Sequence, residues 1–459
     1  MAILGFSYNI SDKLNPEQAT LFAQWIGAAN VIRNQKINEY KTFLKNKTPE
    51  LIAQGYASIK NNPELLFLKD IPVQLLRNAA SLVFSDAEAA RKGLRKFPKI
   101  KNKFKKRSVV LTKEMFFVEP FENGSRIVIN NHAKAKRRIV FSLVVPHKPE
   151  QIGNQIRLSR QGAKFTLSGS FDDGRLALDE KQILSDLSYL SYEELELKTT
   201  GVDRGISLHL CSSDGFSVTY SPEEIARKKR RAKKIAHYQR ILARKKRLNQ
   251  NKTKACETNQ QRIVQARISR IQAKESDCRN NHNHHISKAL VESANQIIGL
   301  EDLNLTGMTK RATPKKNEDG KGYARNRARA KSGLNRSLLG VALGQLANYI
   351  AYKARKVGKI VISELNPVNS SKECACCGSL NTERPDQATF ICLTCGNRDN
   401  ADSNAAKVLK KRLIHYIKEN TFAKSKTRKS IVARKKKLAD RTDTSIKTRD
   451  KESAVLTSS

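Results

Sequence analysis

The sequence predicts a multidomain α+β protein: a helical block, a β-rich block, then an α/β block carrying a small metal-stapled insertion. Three observations carry this prediction. The apolar period is three to four residues over positions 15 to 100, two over 108 to 195, and mixed beyond that. Cys374 and Cys377 form one C-x-x-C pair, and Cys392 and Cys395 form a second. Two such knuckles about 14 residues apart are the sequence form of a zinc ribbon closing on one tetrahedral Zn²⁺. Finally, the net charge is +44 over 459 residues, whereas a modest soluble domain usually carries a charge of magnitude about 2 to 8.

That length accommodates about two to four domains, and 39% apolar residues suit a soluble protein. The charge implies a polyanionic partner. Its spread along the whole chain fits a large nucleic acid better than a membrane surface, and a ribosomal or chromatin-like protein shares the same signature. The opening, Met1 through Asn9, turns polar too soon for a signal peptide. The apolar stretch Leu338 to Tyr352 is interrupted by Gln345 and Asn348 and is too short to span a bilayer. These features predict an intracellular, cytoplasmic chain with no membrane partner. Its eight cysteines are then expected as thiols or metal ligands rather than disulfides.

The first helix starts at Asn15-Pro16-Glu17, with a capping side chain, a proline in the first turn and an acid at the positive end of the dipole. Phe22, Trp25, Ala29 and Ile32 mark its buried face. A second helical stretch runs from Ile71-Pro72 to Leu94 and closes at Phe97-Pro98-Lys99. Short strands are expected at Ile127–Ile129, Ile139–Val145 and Lys164–Leu167, with turns at Asn123-Gly124 and Asp173-Gly174. A small barrel or sandwich is the natural reading.

A strand over Gly201–Leu210 opens the α/β block, and Asp214-Gly215 turns into a second strand. Ser221-Pro222-Glu223-Glu224 then starts a long helix. From Arg227 to Lys254 there are 14 Lys or Arg and no acid, over a sparse stripe of Ile235, Tyr238 and Leu242. A solvated face is the plain account, but so much like charge destabilises an isolated helix, and phosphate binding with counterion release explains it better. A buried strand at Ile297–Leu303 and a Lys/Arg/Gly-rich loop over 310–333 follow. Next come a helix carrying Leu339, Leu343, Leu346 and Ile350, a strand at Lys359–Ile362, and the ribbon. The last helix is expected from about Asn404 through Ile417, ahead of a basic, disordered tail.

Three acids stand apart: Asp203 within a strand, Glu301 at the end of an apolar strand, and Asp402 at the entrance to the last helix. An acid near a strand end is commonly a cap or a salt-bridge partner. The order strand-Asp, hairpin, helix, strand-Glu, helix, strand, helix-Asp is, however, the layout of an RNase H-like nuclease. Clustered carboxylates repel one another and stay partly protonated. Two Mg²⁺ about 3.5 to 4 Å apart relieve this, and hard carboxylate oxygens suit them. Asn404 is placed to orient Asp402 or, more simply, to cap the helix.

These residues resemble the TnpB family of transposon-encoded proteins, relatives of the type V CRISPR effectors. Gly201-Val202-Asp203-Arg204-Gly205-Ile206 resembles the first RuvC nuclease motif, Ile298-Gly299-Leu300-Glu301-Asp302-Leu303-Asn304 the second, and Asp402-Ser403-Asn404-Ala405-Ala406 the third. Arg279, His284 and Ser287 resemble the turn ahead of the second motif. Tyr352-Lys353-Ala354, Pro367 and Ser371-Lys372-Glu373-Cys374 resemble the approach to the ribbon. Upstream, Gly27, Asn34 and Phe97-Pro98-Lys99-Ile100-Lys101 fit weaker motifs. Asn30 replaces the usual Arg, and Cys376 is an extra thiol in the first knuckle.

The resemblance implies an RNA-guided, Mg²⁺-dependent DNA endonuclease in a bacterial or archaeal cytoplasm. Its partners would be a guide RNA and double-stranded target DNA, and it would be a monomer on RNA, with a dimer left open. Asp203, Glu301 and Asp402 would be catalytic and hold two Mg²⁺, and Cys374, Cys377, Cys392 and Cys395 would hold one structural Zn²⁺. The implied domains are a wedge β-barrel (1–10 and 106–196) with a helical recognition insertion (11–105), and a RuvC-like nuclease (197–370 and 397–417) with a lid loop (310–333). The zinc ribbon (371–396) interrupts the nuclease, and a disordered tail (418–459) follows it. Two alternatives are a miniature type V CRISPR effector with array-derived guides, and a nuclease-inactive RNA-guided or zinc-ribbon repressor.

Overall fold

The computed structural model describes residues 3–46, 55–101, 107–131, 138–172, 174, 180–249, 258–317 and 322–419. The tail beyond Glu419, Asp173, positions 102–105 of the expected helical insertion and positions 318–321 of the basic loop lie outside the described residues. The chain divides into two compact units at Ala177/Leu178.

In the first unit, β1 (Ile3–Asn9) precedes α1 (Pro16–Asn46), α2 (Ala57–Lys60) and α3 (Val73–Arg91). Asn15 and Gln18 cap α1 reciprocally: Gln18 N donates to Asn15 Oδ1 (2.8 Å) and Asn15 N to Gln18 Oε1 (3.0 Å). The strands β2 (Arg107–Thr112), β3 (Phe116–Phe121), β4 (Gly124–Asn131), β5 (Arg138–Val145), β6 (Ile152–Gln161) and β7 (Lys164–Asp172) follow. They form two antiparallel sheets, β1-β7-β6-β2 and β3-β4-β5. Phe22, Trp25, Ala29 and Ile32 are buried as expected, in one core with Leu111, Ile127, Phe141, Leu158 and Leu167. Asn30 and Asn34 both donate to Lys101 O (3.2 and 2.9 Å), and Arg33 donates to Lys99 O (2.8 Å). The Phe97–Lys101 segment is thus pinned along α1. The two-residue period ends at Asp172, earlier than the sequence suggests.

The second unit begins with α4 (Glu180–Ser188) and α5 (Tyr192–Lys198). Next come β8 (Thr199–Asp203), β9 (Leu210–Ser212), β10 (Ser217–Val218), α6 (Pro222–Asn249) and α7 (Asn259–Ser293). They lead to β11 (Ile297–Glu301), α8 (Leu305–Met308), the hairpin β12 (Lys315–Lys316) and β13 (Tyr323–Ala324), then α9 (Ala328–Val341), α10 (Leu343–Lys356) and β14 (Ile360–Leu365). Finally come β15 (Thr382–Glu383), β16 (Thr389–Cys392), β17 (Arg398–Asn400) and α11 (Ala401–Glu419).

Five strands form a mixed sheet in the order β10-β9-β8-β11-β14, with β8, β11 and β14 parallel and β9 antiparallel to its neighbours. The sheet's centre is covered on both faces, so β11 is buried along its whole length. Ile298 and Leu300 pack with Leu290, Leu346 and Ile350 of α7 and α10. Ile297 points the other way, to Leu195, Leu409 and Leu413 of α5 and α11. Each such buried side chain contributes about 1.5–3 kcal/mol. The basic α6 pairs with α7 through Leu242, Val264 and Ile268, and Arg231 lies 2.5 Å from both Glu224 and Glu275. Among the described residues, no helix is long and apolar enough to cross a membrane.

Three expectations need correcting. The strand predicted over Gly201–Leu210 stops at Asp203, because the chain turns at Arg204-Gly205 before β9. The single helix carrying Leu339 and Leu343 is two helices broken at Ala342, which adopts φ +60°. The break shifts the buried face, so Leu338 is buried and Leu339 is 61% exposed. Asn283 of α7 donates to Val341 O (3.0 Å) and Arg279 to Leu339 O (3.3 Å), which satisfies carbonyls that the broken helix leaves open. Residues 328–333 of the expected basic loop are already helical.

Candidate active site

Glu301 and Asp203 end adjacent parallel strands. The register pairs Gly299 with Gly201 and Leu300 with Val202, so the two acids stand side by side at the C-terminal edge of the sheet. Beside Glu301 the β11–β14 register shifts, an irregularity of the kind that re-aims side chains next to functional sites.

Asp402 arrives on α11, which packs across β8. Gly201 makes this approach possible: a Cβ there would lie 2.3 Å from both Ala406 O and Lys410 N. Asp402, Ala406 and Lys410 are spaced four residues apart and share one helix face. The face that touches Gly201 therefore carries Asp402 toward the Asp203 end of the strand. Electrostatics agree. Burial, then the charges of Glu301 and Asp402, push the Asp203 carboxyl up to about 7. Burial also raises the carboxyls of Glu301 and Asp402, and Arg204 and Arg384 respectively oppose those shifts.

Arg204 is the residue that sequence reasoning passed over. It is only 6% exposed, and it donates from Nη2 to Glu301 O (2.5 Å) and from Nη1 to Leu343 O (3.4 Å). A fixed cation thus braces the Glu301 backbone beside the acids. Its signal was present in the sequence, as a lone Arg directly following the strand acid. Cys211, opposite Asp203 on β9, is buried, and burial followed by Asp402 and Asp203 pushes its thiol up to about 11.

The ribbon cysteines converge. The sulfurs of Cys374, Cys377, Cys392 and Cys395 all lie within 4.8 Å of one another, with Cys374–Cys395 at 3.7 Å and Cys377–Cys392 at 3.6 Å. Four ligands about 2.3 Å from a tetrahedral Zn²⁺ would stand roughly 3.8 Å apart, so the donor set fits that ion. Backbone N–H groups of Cys395 and Thr394 draw the Cys392 thiol down while its neighbour Cys395 is pushed up, so without an ion the four sulfurs do not ionise together. Cys376 stands outside the cluster, exposed.

Asn404 joins this centre to the acids, in a way that differs from the capping role expected of it. Fully buried inside α11, it accepts from Ala375 N (2.9 Å) and donates to Glu373 O (2.7 Å), holding the first knuckle against the helix. The cap is Asn400, which accepts from Asp402 N (3.0 Å) and Ser403 N (3.3 Å), so α11 starts at Ala401 rather than near Asn404. The residues matched ahead of β11 have local partners: His284 stacks on Tyr349 at 4.0 Å, and Ser287 Oγ donates to Asn283 O.

Residues 344–409, which span α10, the ribbon and Asp402, match the Cas12f1-like, TNB domain. More specifically, 208 residues are 32% identical to "Putative RNA-guided DNA endonuclease InsQ" of Escherichia coli (strain K12), over 45% of this chain and 47% of that protein. The chain thus spans about half the length of this curated relative. Among solved structures, the Cas12f1–sgRNA–target DNA complex aligns over 86% of this chain and 83% of that one, with 15% identity and a TM-score of 0.49. CasPhi-2 (Cas12j) bound to crRNA aligns over 64% and 61%, with 12% identity and a TM-score of 0.34.

Proposed function

We propose that this chain is an RNA-guided DNA endonuclease of the TnpB type, cutting DNA by metal-assisted phosphodiester hydrolysis. One arrangement supports the reading: Asp203 and Glu301 end adjacent parallel strands, and α11, packed on Gly201, carries Asp402 toward the same end, where the charges of Glu301 and Asp402 raise the Asp203 carboxyl. The negative charge that Glu301 and Asp402 place on Asp203 is what bound cations would relieve, and carboxylate oxygens suit Mg²⁺. Two Mg²⁺, when bound, would supply water activation and stabilisation of the departing 3′-oxygen. The protein's own part is to hold the three acids: Arg204 braces Glu301, Gly201 admits α11, and Asn400 and Asn404 fix the start of that helix. The four cysteines would hold one structural Zn²⁺.

In this reading the antiparallel sheets of the first unit form a wedge barrel, and α1–α3 are its recognition insertion. The mixed sheet is the RNase H-like RuvC domain, interrupted by the ribbon. The net charge of +44 supports guide RNA and target DNA as partners, with base pairing reading most of the target and the protein a short adjacent motif.

The deciding experiment is DNA cleavage by the protein with guide RNA in Mg²⁺, Ca²⁺ or EDTA. Cleavage is expected with Mg²⁺ alone, and Asp203→Ala is expected to lower it on the order of a thousandfold or more. DNA left uncut under all conditions would remove the nuclease reading, and full activity in Asp203→Ala would remove the site. The domain match at 344–409 favours a second reading, a miniature type V CRISPR effector. Sequencing the co-purifying RNA separates them: transposon-end RNA marks the TnpB type, and repeat-spacer RNA the effector.

A further inference from the structure

The second unit also contains a cavity of about 710 Å³ between α7, α9 and the segment after α8, with none of the three acids in its lining. Ligand pockets are commonly about 300–1,000 Å³. Arg279, Arg311, Lys331 and Arg336 line it, and no acid does. Among the described residues none of these four has an ion-pair partner, although Arg231 and Arg412 elsewhere in the unit both have one. Four uncompensated cations around one hollow repel one another, a cost that a bound anion removes.

The polar groups of the wall are half satisfied. Asn335 Nδ2 donates to Thr309 O (2.9 Å) while its buried Oδ1 has no partner, and the buried Nε of Arg279 also lacks one. Of the two, Arg279 Nε is a donor that an anion satisfies, whereas Asn335 Oδ1 is an acceptor that only a donor satisfies, so the first alone speaks for a phosphate. The exposed Leu339 adds an apolar strip to the same wall. Helix α9 also rests on the segments leaving two of the acids, since Leu338 and Val341 pack with Ile206 and Leu303.

We propose that this cavity binds a backbone phosphate of a polynucleotide strand, with Lys331 and Arg336 as its contacts and Leu339 beside the adjoining sugar. This rests on the nucleic-acid reading above. A guide RNA and a DNA strand present the same phosphodiester.

The test measures binding rather than cleavage. Labelled guide RNA is titrated onto the full chain over a series of salt concentrations, and target DNA is then titrated onto the RNA-bound protein. Lys331→Gln/Arg336→Gln is compared with wild type and with Lys274→Gln/Lys288→Gln, an equal charge loss on α7. Each cation withdrawn from a phosphate lowers the slope of log affinity against log salt by about 1, so a fall of about 2 is expected in one arm. A fall with RNA alone assigns the phosphate to the guide, and a fall only with DNA assigns it to the target. Arg311→Gln, outside any helix, gives a second reading should the double variant lose stability, with an expected fall of about 1. Slopes equal to those of the α7 control in both arms overturn the cavity while leaving the nucleic-acid reading intact. A wild-type protein with no salt-dependent binding overturns both.

Discussion

Asp203 is a carboxyl held away from its ordinary state by its surroundings. Burial first, and then Glu301 and Asp402, raise it from 3.8 to about 7. A carboxyl whose folded value exceeds its unfolded value favours the fold below the unfolded value, and that contribution is lost as pH rises through the folded one. In cation-free protein, this stability is therefore lost between about pH 4 and 7. A cation shared by the carboxylates, as proposed, would offset the loss. Mg²⁺ is expected to raise the melting temperature more at about pH 8 than at about pH 5.5 in thermal denaturation. Equal increments at both would argue against a shared site. Asp203 and Glu301 were legible because each interrupts or ends an apolar stretch, and Asp402 because it follows the second knuckle at the entrance to the last helix. Arg204 was less so: a basic residue in a basic chain carries little information until its burial is seen.

At the scale of elements, the close approach of α11 to β8 decides whether the acids meet. Gly201→Ala would put a Cβ 2.3 Å from two backbone atoms that form part of the helix itself. No side chain can swing aside, so the helix must shift. The variant is expected to lose about 1–3 kcal/mol of stability in chemical denaturation, together with most of the proposed Mg²⁺-dependent cleavage. Wild-type values of both would show that α11 relaxes without moving Asp402. A glycine within a strand already hints at close backbone approach, but not at which element approaches. The break at Ala342 had no such hint. Alanine favours helix, yet Ala342 stands at φ +60°, where its own N–H donates to Leu338 O and where Asn283 and Arg279 donate to the last carbonyls of α9. The early end of β8 was equally hidden, because Ile206, Leu208 and Leu210 continue the alternation beyond the turn at Arg204-Gly205.

Across the second unit, the ribbon and the acids form one mechanical assembly. Asn404 links the first knuckle to α11, and Gln387 of the ribbon donates to Ser207 (2.9 Å), four residues beyond Asp203. Cys392→Ser is expected to bring zinc content well below one per chain. It should also speed hydrogen exchange in the first turns of α11, seen by mass spectrometry against wild type. Retained zinc would refute the four-cysteine centre, and unchanged exchange would refute the link. Two C-x-x-C pairs announce the staple in the sequence, but nothing there says that a buried asparagine couples it to Asp402.

The placement of α11 also has a temporal meaning. Asp203 leaves the ribosome about 200 residues before Asp402, and Asp402 can dock on Gly201 only after the knuckles have emerged ahead of it. A growing chain therefore carries two acids and no third over the hundred or so residues from Glu301 to Asp402. The last described helix completes the set of three acids only once β8 and the knuckles exist to receive it.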